Sequence, residues 1–142
     1  MRVITLHCAA LALVIGLAAA VPASAEVVNL KAEAKGSNEI PPNQLGGSGS
    51  LTATFDTATR KLSWKGSYSG LSGPVIAAHF HGPAGTTQNA GVAIPINASA
   101  SSFEGSADLT EPQAADMMAG RWYLNIHTDA NKGGEIRGQL VK

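Results

Sequence analysis

The sequence predicts an all-β domain, a sandwich or barrel of antiparallel strands with one short helix. Apolar and polar residues alternate with a period of two through most of the chain, which is typical of strands that bury one face. Breaks rich in glycine and serine separate these segments at short spacing, and 16 Gly and 7 Pro make the chain rich in turns. Its 142 residues suit a single folded domain, because no linker, charge run or internal repeat divides them.

The first element of the chain is a predicted secretory signal peptide at residues 1–25. Arg2 precedes a long apolar run, and Ala23-Ser24-Ala25 supplies the small residues that signal peptidase recognises. An uncleaved membrane anchor is the alternative, since the run approaches the length of a spanning helix. The small residues that follow the apolar run favour cleavage after Ala25. We therefore expect an exported protein, periplasmic or secreted, whose mature domain is 26–142 and contains no further membrane span.

Removal of the signal peptide changes which functions the composition allows. The single cysteine, Cys8, lies within it, so the mature domain has no disulfide, no Cys-based zinc module and no thiol nucleophile. The full sequence has ten basic and ten acidic residues and therefore no net charge. This argues against a nucleic-acid partner, because phosphate binding needs a basic surface. The carboxylates are scattered, and phosphate-loop and nucleophile-elbow motifs are missing. We assign no catalytic and no cofactor-binding residues, and a binding or structural protein is favoured over an enzyme.

Alternation is clearest in the second and third strands of the mature domain. Leu51, Ala53 and Phe55 share one face of the segment 50–56, and the same pattern returns at 61–68 after a predicted hairpin turn. The other strands are predicted at 27–35, 74–81, 91–97, 102–109, 121–128 and 135–141.

One segment follows a helical pattern instead. Thr110-Glu111-Pro112-Gln113 matches a capping box, with proline in the first turn, where its missing N–H costs little. Good helix formers follow, and Gly120 stands where a C-terminal glycine cap belongs. These signals predict a short helix near 111–119.

Three histidines are the candidate functional residues of the mature domain. His79 and His81 are two residues apart on a predicted strand, so their side chains project from the same face. His127 lies on the polar face of another predicted strand. If the two strands are close, three imidazoles converge, and three protein ligands with one open position suit zinc or copper. Asn125, Asp129 and Glu135 are candidates for polar groups that support the ligands. The alternative is a set of histidines that hydrogen-bond on a polar face without metal.

Two further features are predicted to be structural. The segment Asn38-Glu39-Ile40-Pro41-Pro42 is extended and poor in hydrogen bonds because of its two prolines, and we interpret it as a rigid crossover between strands. Residues 129–134 are a turn by composition. Arg137, on the last predicted strand, is predicted to form a buried ion pair with Glu39 or Glu135.

Together these landmarks resemble the CHRD domain, the module repeated in chordin and found singly in microbial exported proteins. The matching motifs, in the same order and spacing, are Asn38–Pro42, Gly70-Leu71, Ala77–Gly85, the capped helix ending in Gly120, Trp122–Thr128 and Gly134–Leu140. The resemblance implies an antiparallel, Greek-key-like β-sandwich of the immunoglobulin or superoxide-dismutase kind, and it implies no catalytic residues. The bridging histidine, zinc-loop ligands and disulfide of copper–zinc superoxide dismutase are missing, so dismutase activity is not expected.

Three hypotheses for function remain open. The leading one is an exported, non-enzymatic CHRD-type binding protein of undetermined ligand, with a copper or zinc site at His79, His81 and His127. Its partner is then a metal ion or an unknown protein. The alternative is a structural, adhesion or protein-interaction module in which the histidines form a hydrogen-bond network without metal. The third is a redox or hydrolytic metalloenzyme with an open coordination position.

Overall fold

The computed structural model describes residues 24–142. The predicted signal peptide therefore lies outside the described residues, except for Ser24 and Ala25. Within the described part of the chain, no helix has the length and apolar character needed to cross a membrane.

Eight strands and one α-helix follow one another in the described chain. They are β1 (Val27–Lys35), β2 (Ser48–Asp56), β3 (Lys61–Ser69), β4 (Val75–His81), β5 (Val92–Ile96), β6 (Ser102–Asp108), α1 (Glu111–Met118), β7 (Tyr123–Thr128) and β8 (Ile136–Gln139). A short 3-10 helix, Gly36–Asn38, follows β1. The all-β class with one short helix, predicted from the alternation and the capping box, is confirmed.

All eight strands belong to one antiparallel sheet with the order β5-β4-β7-β8-β1-β2-β3-β6. The sheet folds over on itself, since Trp64 of β3 packs edge-on against Phe80 of β4 with ring centroids 5.3 Å apart. The fold line lies between β8 and β1, where few residues pair: Lys35 with Arg137, and Lys31 with Val141. Because β8 returns to lie beside β1, the strands β8-β1-β2-β3 have the order of a Greek key.

The core lies between the two halves of the folded sheet. Alternate strand residues enter it, as the fully buried side chains of Leu51, Phe80 and Leu124 show. Helix α1 closes one end, where Met117 is completely buried, and its Thr110 cap forms the predicted capping box. Since Phe80 faces the core, its neighbours on β4 face the opposite, outer side of the sheet.

Candidate metal centre

Strand pairing places the three histidines on the outer face of one half of the sheet. β4 pairs directly with β7, with His79 opposite Asn125 and Ala77 opposite His127. His127 is therefore the diagonal neighbour of His79 on the same face. The sequence could not decide whether these strands were close. Their direct pairing brings His79, His81 and His127 together.

The spacing of the imidazole nitrogens suits a small metal ion. One nitrogen from each ring lies within 4.8 Å of the others, and His79 Nδ1 is 3.3 Å from His127 Nε2. With metal–nitrogen bonds of about 2.05 Å, tetrahedral geometry places two ligand nitrogens roughly 3.3 Å apart. The His79–His127 pair already has that separation. The nitrogen of His81 would have to approach by about 1.5 Å at most to complete the site.

Backbone carbonyl groups fix which nitrogen of two rings carries the hydrogen. His81 Nδ1 is 2.9 Å from Ala90 O, and His127 Nδ1 is 2.9 Å from Lys132 O. A carbonyl oxygen can only accept, so both Nδ1 atoms donate and both Nε2 atoms carry a lone pair, which at His127 faces His79 Nδ1. His81 Nε2 is buried and has no hydrogen-bond partner within the described chain. This is the arrangement that metal-binding histidines need, with one nitrogen held by the protein and the other available.

The environment also favours neutral rings. Burial lowers the pKa of His79, and the neighbouring charges of His127 and His81 lower it further. Burial is also the main cause that lowers the pKa of His81; its bond to Ala90 opposes the shift, and His127 adds to it. A neutral imidazole is the form that binds a metal ion, so no proton needs to leave these two rings at neutral pH.

A loop and a buried arginine cover the site on the β8 side. Residues 82–91 connect β4 to β5, and the guanidinium of Arg137 donates to Gly85 O, Gln88 O and Asn89 Oδ1. The same guanidinium lies 3.6 Å from the centre of the Tyr123 ring. Tyr123 stacks in turn on His81, with ring centroids 5.1 Å apart and planes 6° from parallel. Arg137, Tyr123 and His81 thus form one continuous stack.

The predicted ion pair of Arg137 with Glu39 or Glu135 is wrong. Within residues 24–142, ion pairs form only between Lys61 and Asp108 and between Arg121 and Asp116. Arg137 donates to loop oxygens instead: the Gly85 and Gln88 carbonyls and the Asn89 side-chain oxygen.

Glu135 is fully buried and anchors the turn after β7. Its carboxylate accepts hydrogen bonds from Ser72, from the Thr128 hydroxyl and from the Asn131 amide. Burial alone would raise the pKa of Glu135, but these hydrogen bonds together lower it. Because Asn131 lies in the same turn as Lys132, this carboxylate holds the turn whose carbonyl orients His127.

Glu39 is buried in a different network. Its Oε1 accepts from Asn125 Nδ2 at 2.5 Å, and the same amide also donates to Ile136 O. Burial raises the pKa of Glu39 to about 7; the Asn125 hydrogen bond and the charge of Arg137 oppose that shift. The sequence predicts Glu39 as a buried partner of Arg137, whereas its hydrogen-bond partner is Asn125.

The groups that orient the histidines differ from those suggested by the sequence. Asn125, Asp129 and Glu135 have no hydrogen bond to any of the three rings within residues 24–142. Two backbone carbonyls, at Ala90 and Lys132, hold the rings instead. Main-chain oxygens carry no residue-type signal, so these two carbonyls could not be predicted from residue types.

Comparison with protein families identifies the chain. The family model of the CHRD domain matches residues 30–140. The chain belongs to the CHRD domain family. This confirms the resemblance drawn from the motifs, and the matched range of the CHRD domain runs from β1 to just beyond β8 and contains all three histidines. Comparisons with curated proteins and with solved structures gave no significant match.

Proposed function

We propose that this CHRD domain is an exported binding protein that holds a copper or zinc ion between His79, His81 and His127. The observation that carries the proposal is the buried, unpartnered Nε2 of His81 within a cluster of three close imidazoles. A buried polar atom without a partner costs about 1–3 kcal/mol. A metal ion at the centre of the cluster would remove that cost.

The donor set favours copper or zinc over harder cations. Three imidazoles, with no carboxylate or thiolate in the cluster, suit zinc and copper but not magnesium or calcium, which prefer oxygen ligands. Three protein ligands leave a fourth position for water or another small ligand. The groups that hold the rings are backbone carbonyls, and we assign them a supporting role rather than a catalytic one.

The proposed export rests on the predicted signal peptide, and the start of the fold supports the proposed cleavage site. Glu26 is the first described residue that bonds to the rest of the domain, through Thr57: Glu26 N donates to Thr57 Oγ1, and Thr57 N donates to Glu26 O. Cleavage after Ala25 would leave the folded part intact. Intact-mass measurement of the exported protein should give a chain that begins at Glu26. A full-length chain retained in the membrane fraction would contradict this proposal.

Metal content and metal titration test the site directly. The protein should be purified without an affinity tag or chelator, its metal content measured, and the metal-free form titrated with copper and zinc by calorimetry. We expect one ion per chain. The variant carrying His79→Ala, His81→Ala and His127→Ala should bind none. Lys132→Ala is the matched control, because it removes a nearby side chain but keeps the carbonyl that orients His127.

Thermal unfolding separates the metal site from the alternative, a hydrogen-bond network in a structural or adhesion module. The 3.3 Å contact between His79 and His127 is the observation that favours this alternative. A metal at 100 times its dissociation constant should stabilise the wild type by about 2.7 kcal/mol and leave the triple variant unchanged. Absence of that stabilisation, together with loss of stability of the triple variant in metal-free buffer, would support the network and refute the metal site.

A further inference from the structure

Arg137 is a buried charged side chain beside the histidine cluster that the proposed metal site does not use. It is 1% exposed, lies on β8 and forms no ion pair with a carboxylate of residues 24–142. Its three hydrogen bonds, each 2.8 Å long, all end on the loop at residues 82–91. A buried guanidinium provides several donors in a fixed planar arrangement, so it can hold several acceptors in one geometry.

The part of the loop that Arg137 holds is the part that orients His81. Arg137 donates to oxygens of Gln88 and Asn89. The next residue is Ala90, whose carbonyl accepts a hydrogen bond from His81 Nδ1. Ala90 N also donates to the hydroxyl of Tyr123, at 3.1 Å. The loop contains glycines at positions 82, 85 and 91, so its backbone would be free to move without these anchors.

Arg137 also acts on His81 through the Tyr123 ring. The guanidinium lies 3.6 Å from the ring centre, and the ring stacks on His81. A cation is attracted to the face of an aromatic ring, so this contact holds the Tyr123 ring in place. The position of the imidazole is therefore set by Arg137 along two routes, one through the Ala90 carbonyl and one through the tyrosine ring.

We propose that Arg137 is a positioning residue of the histidine site. By holding the loop at Gln88 and Asn89, it places Ala90 O where that oxygen fixes the Nδ1–H tautomer of His81 and leaves Nε2 free for metal. The purpose assigned to Arg137, positioning a metal ligand, rests on the proposed function. Its physical content, control of the His81 tautomer, is present in the metal-free protein.

The test compares Arg137→Met with wild type in the metal-free state. Methionine fills a similar volume without donors. Two-dimensional ¹H–¹⁵N NMR of the histidine rings should show the Nδ1–H tautomer at His81 in wild type and a mixture of tautomers in the variant. Metal affinity should fall by about 10- to 100-fold, as it does when other groups that orient metal ligands are removed.

Gln139→Met is the matched control. Gln139 also lies on β8 and holds the start of the same loop by donating to Ala84 O. Its second hydrogen bond goes to Gly120 O, outside the loop. Gln139 has no bond to the segment around Ala90. The variant should leave the His81 tautomer and the metal affinity unchanged. An equal effect of Gln139→Met and Arg137→Met would overturn the proposal, because any loosening of the loop would then suffice.

A second variant keeps the proposal falsifiable if Arg137→Met fails to fold. Asn89→Ala removes the side-chain anchor next to Ala90 and leaves the arginine in place. It should shift the tautomer in the same direction by a smaller amount. A wild-type tautomer in every folded variant would refute the role of Arg137. If the wild type binds no metal, the proposed function is refuted but the role of Arg137 is not. The His81 tautomer in the metal-free protein tests that role separately.

Discussion

Glu39 provides a quantitative prediction, because its carboxyl group is only 7% exposed and its pKa is raised from 4.5 to about 7. Below pH 4.5 the group is protonated in both the folded and the unfolded chain. Between pH 4.5 and 7 the unfolded chain releases the proton and the folded chain retains it, so folding becomes less favourable as the pH rises. The full shift corresponds to roughly 3 kcal/mol, which solvent screening reduces to about 1–2 kcal/mol.

Substitution Glu39→Gln removes this titration and keeps the oxygen that accepts from Asn125. Relative to wild type, the variant should gain about 1–2 kcal/mol in its free energy of unfolding between pH 4.5 and pH 8. Urea unfolding of both proteins at each pH, with chelator present, measures the difference, and histidine titrations cancel in it. Glu33→Gln, an exposed position on β1, is the control. A difference that falls as the pH rises would refute the reasoning, because it would mean that Glu39 is ionised and stabilising in the folded protein.

Three further substitutions test the anchors of the fold. Glu135→Gln should lower the free energy of unfolding in urea by about 2–3 kcal/mol, because the carboxylate is fully buried and accepts several hydrogen bonds. Since the pKa of Glu135 is lowered in the folded protein, this difference between wild type and variant should shrink as the pH falls through the carboxyl range. Gly138→Ala should lower the melting temperature, since the added Cβ would lie 2.6 Å from the backbone of Glu33 and push β8 away from β1; an unchanged melting temperature would contradict this. Thr110→Ala should cost about 1 kcal/mol in the same unfolding experiment, the usual contribution of a helix cap, and a loss below 0.3 kcal/mol would show that the cap contributes little.

The local elements of the fold could be predicted because their causes are local. Period-two alternation in segments such as Leu51–Phe55 depends only on which residues face the core, and the capping box at Thr110 depends on four consecutive residues. The proximity of the histidines could not be predicted in the same way. It depends on β4 pairing with β7, and those strands are separated in the chain by β5, β6 and α1. No local pattern encodes such a pairing.

The incorrect prediction for Arg137 has a different cause. Sequence reasoning matches a buried cation with a carboxylate, because residue types reveal charges and not the positions of carbonyl groups. In the folded chain the loop at residues 82–91 brings carbonyl oxygens within 2.8 Å of the guanidinium. The two carboxylates meanwhile bond to other donors: Glu39 to Asn125 and Glu135 to the turn after β7. These three buried charged groups are thus satisfied by neutral hydrogen-bond partners rather than by one another.

The two side chains that anchor the histidine site, Glu135 and Arg137, lie at the start of β8, although β8 supplies no ligand. Glu135, immediately before β8, holds the turn whose carbonyl at Lys132 orients His127. Arg137, two residues later, holds the loop whose carbonyl at Ala90 orients His81. Because β7 lies between β4 and β8 in the sheet, both anchors lie on the β8 side of the ligand strands. The orientation of the imidazoles therefore depends on the position of β8, and a change that displaces this strand should disturb both rings while leaving every histidine in the chain.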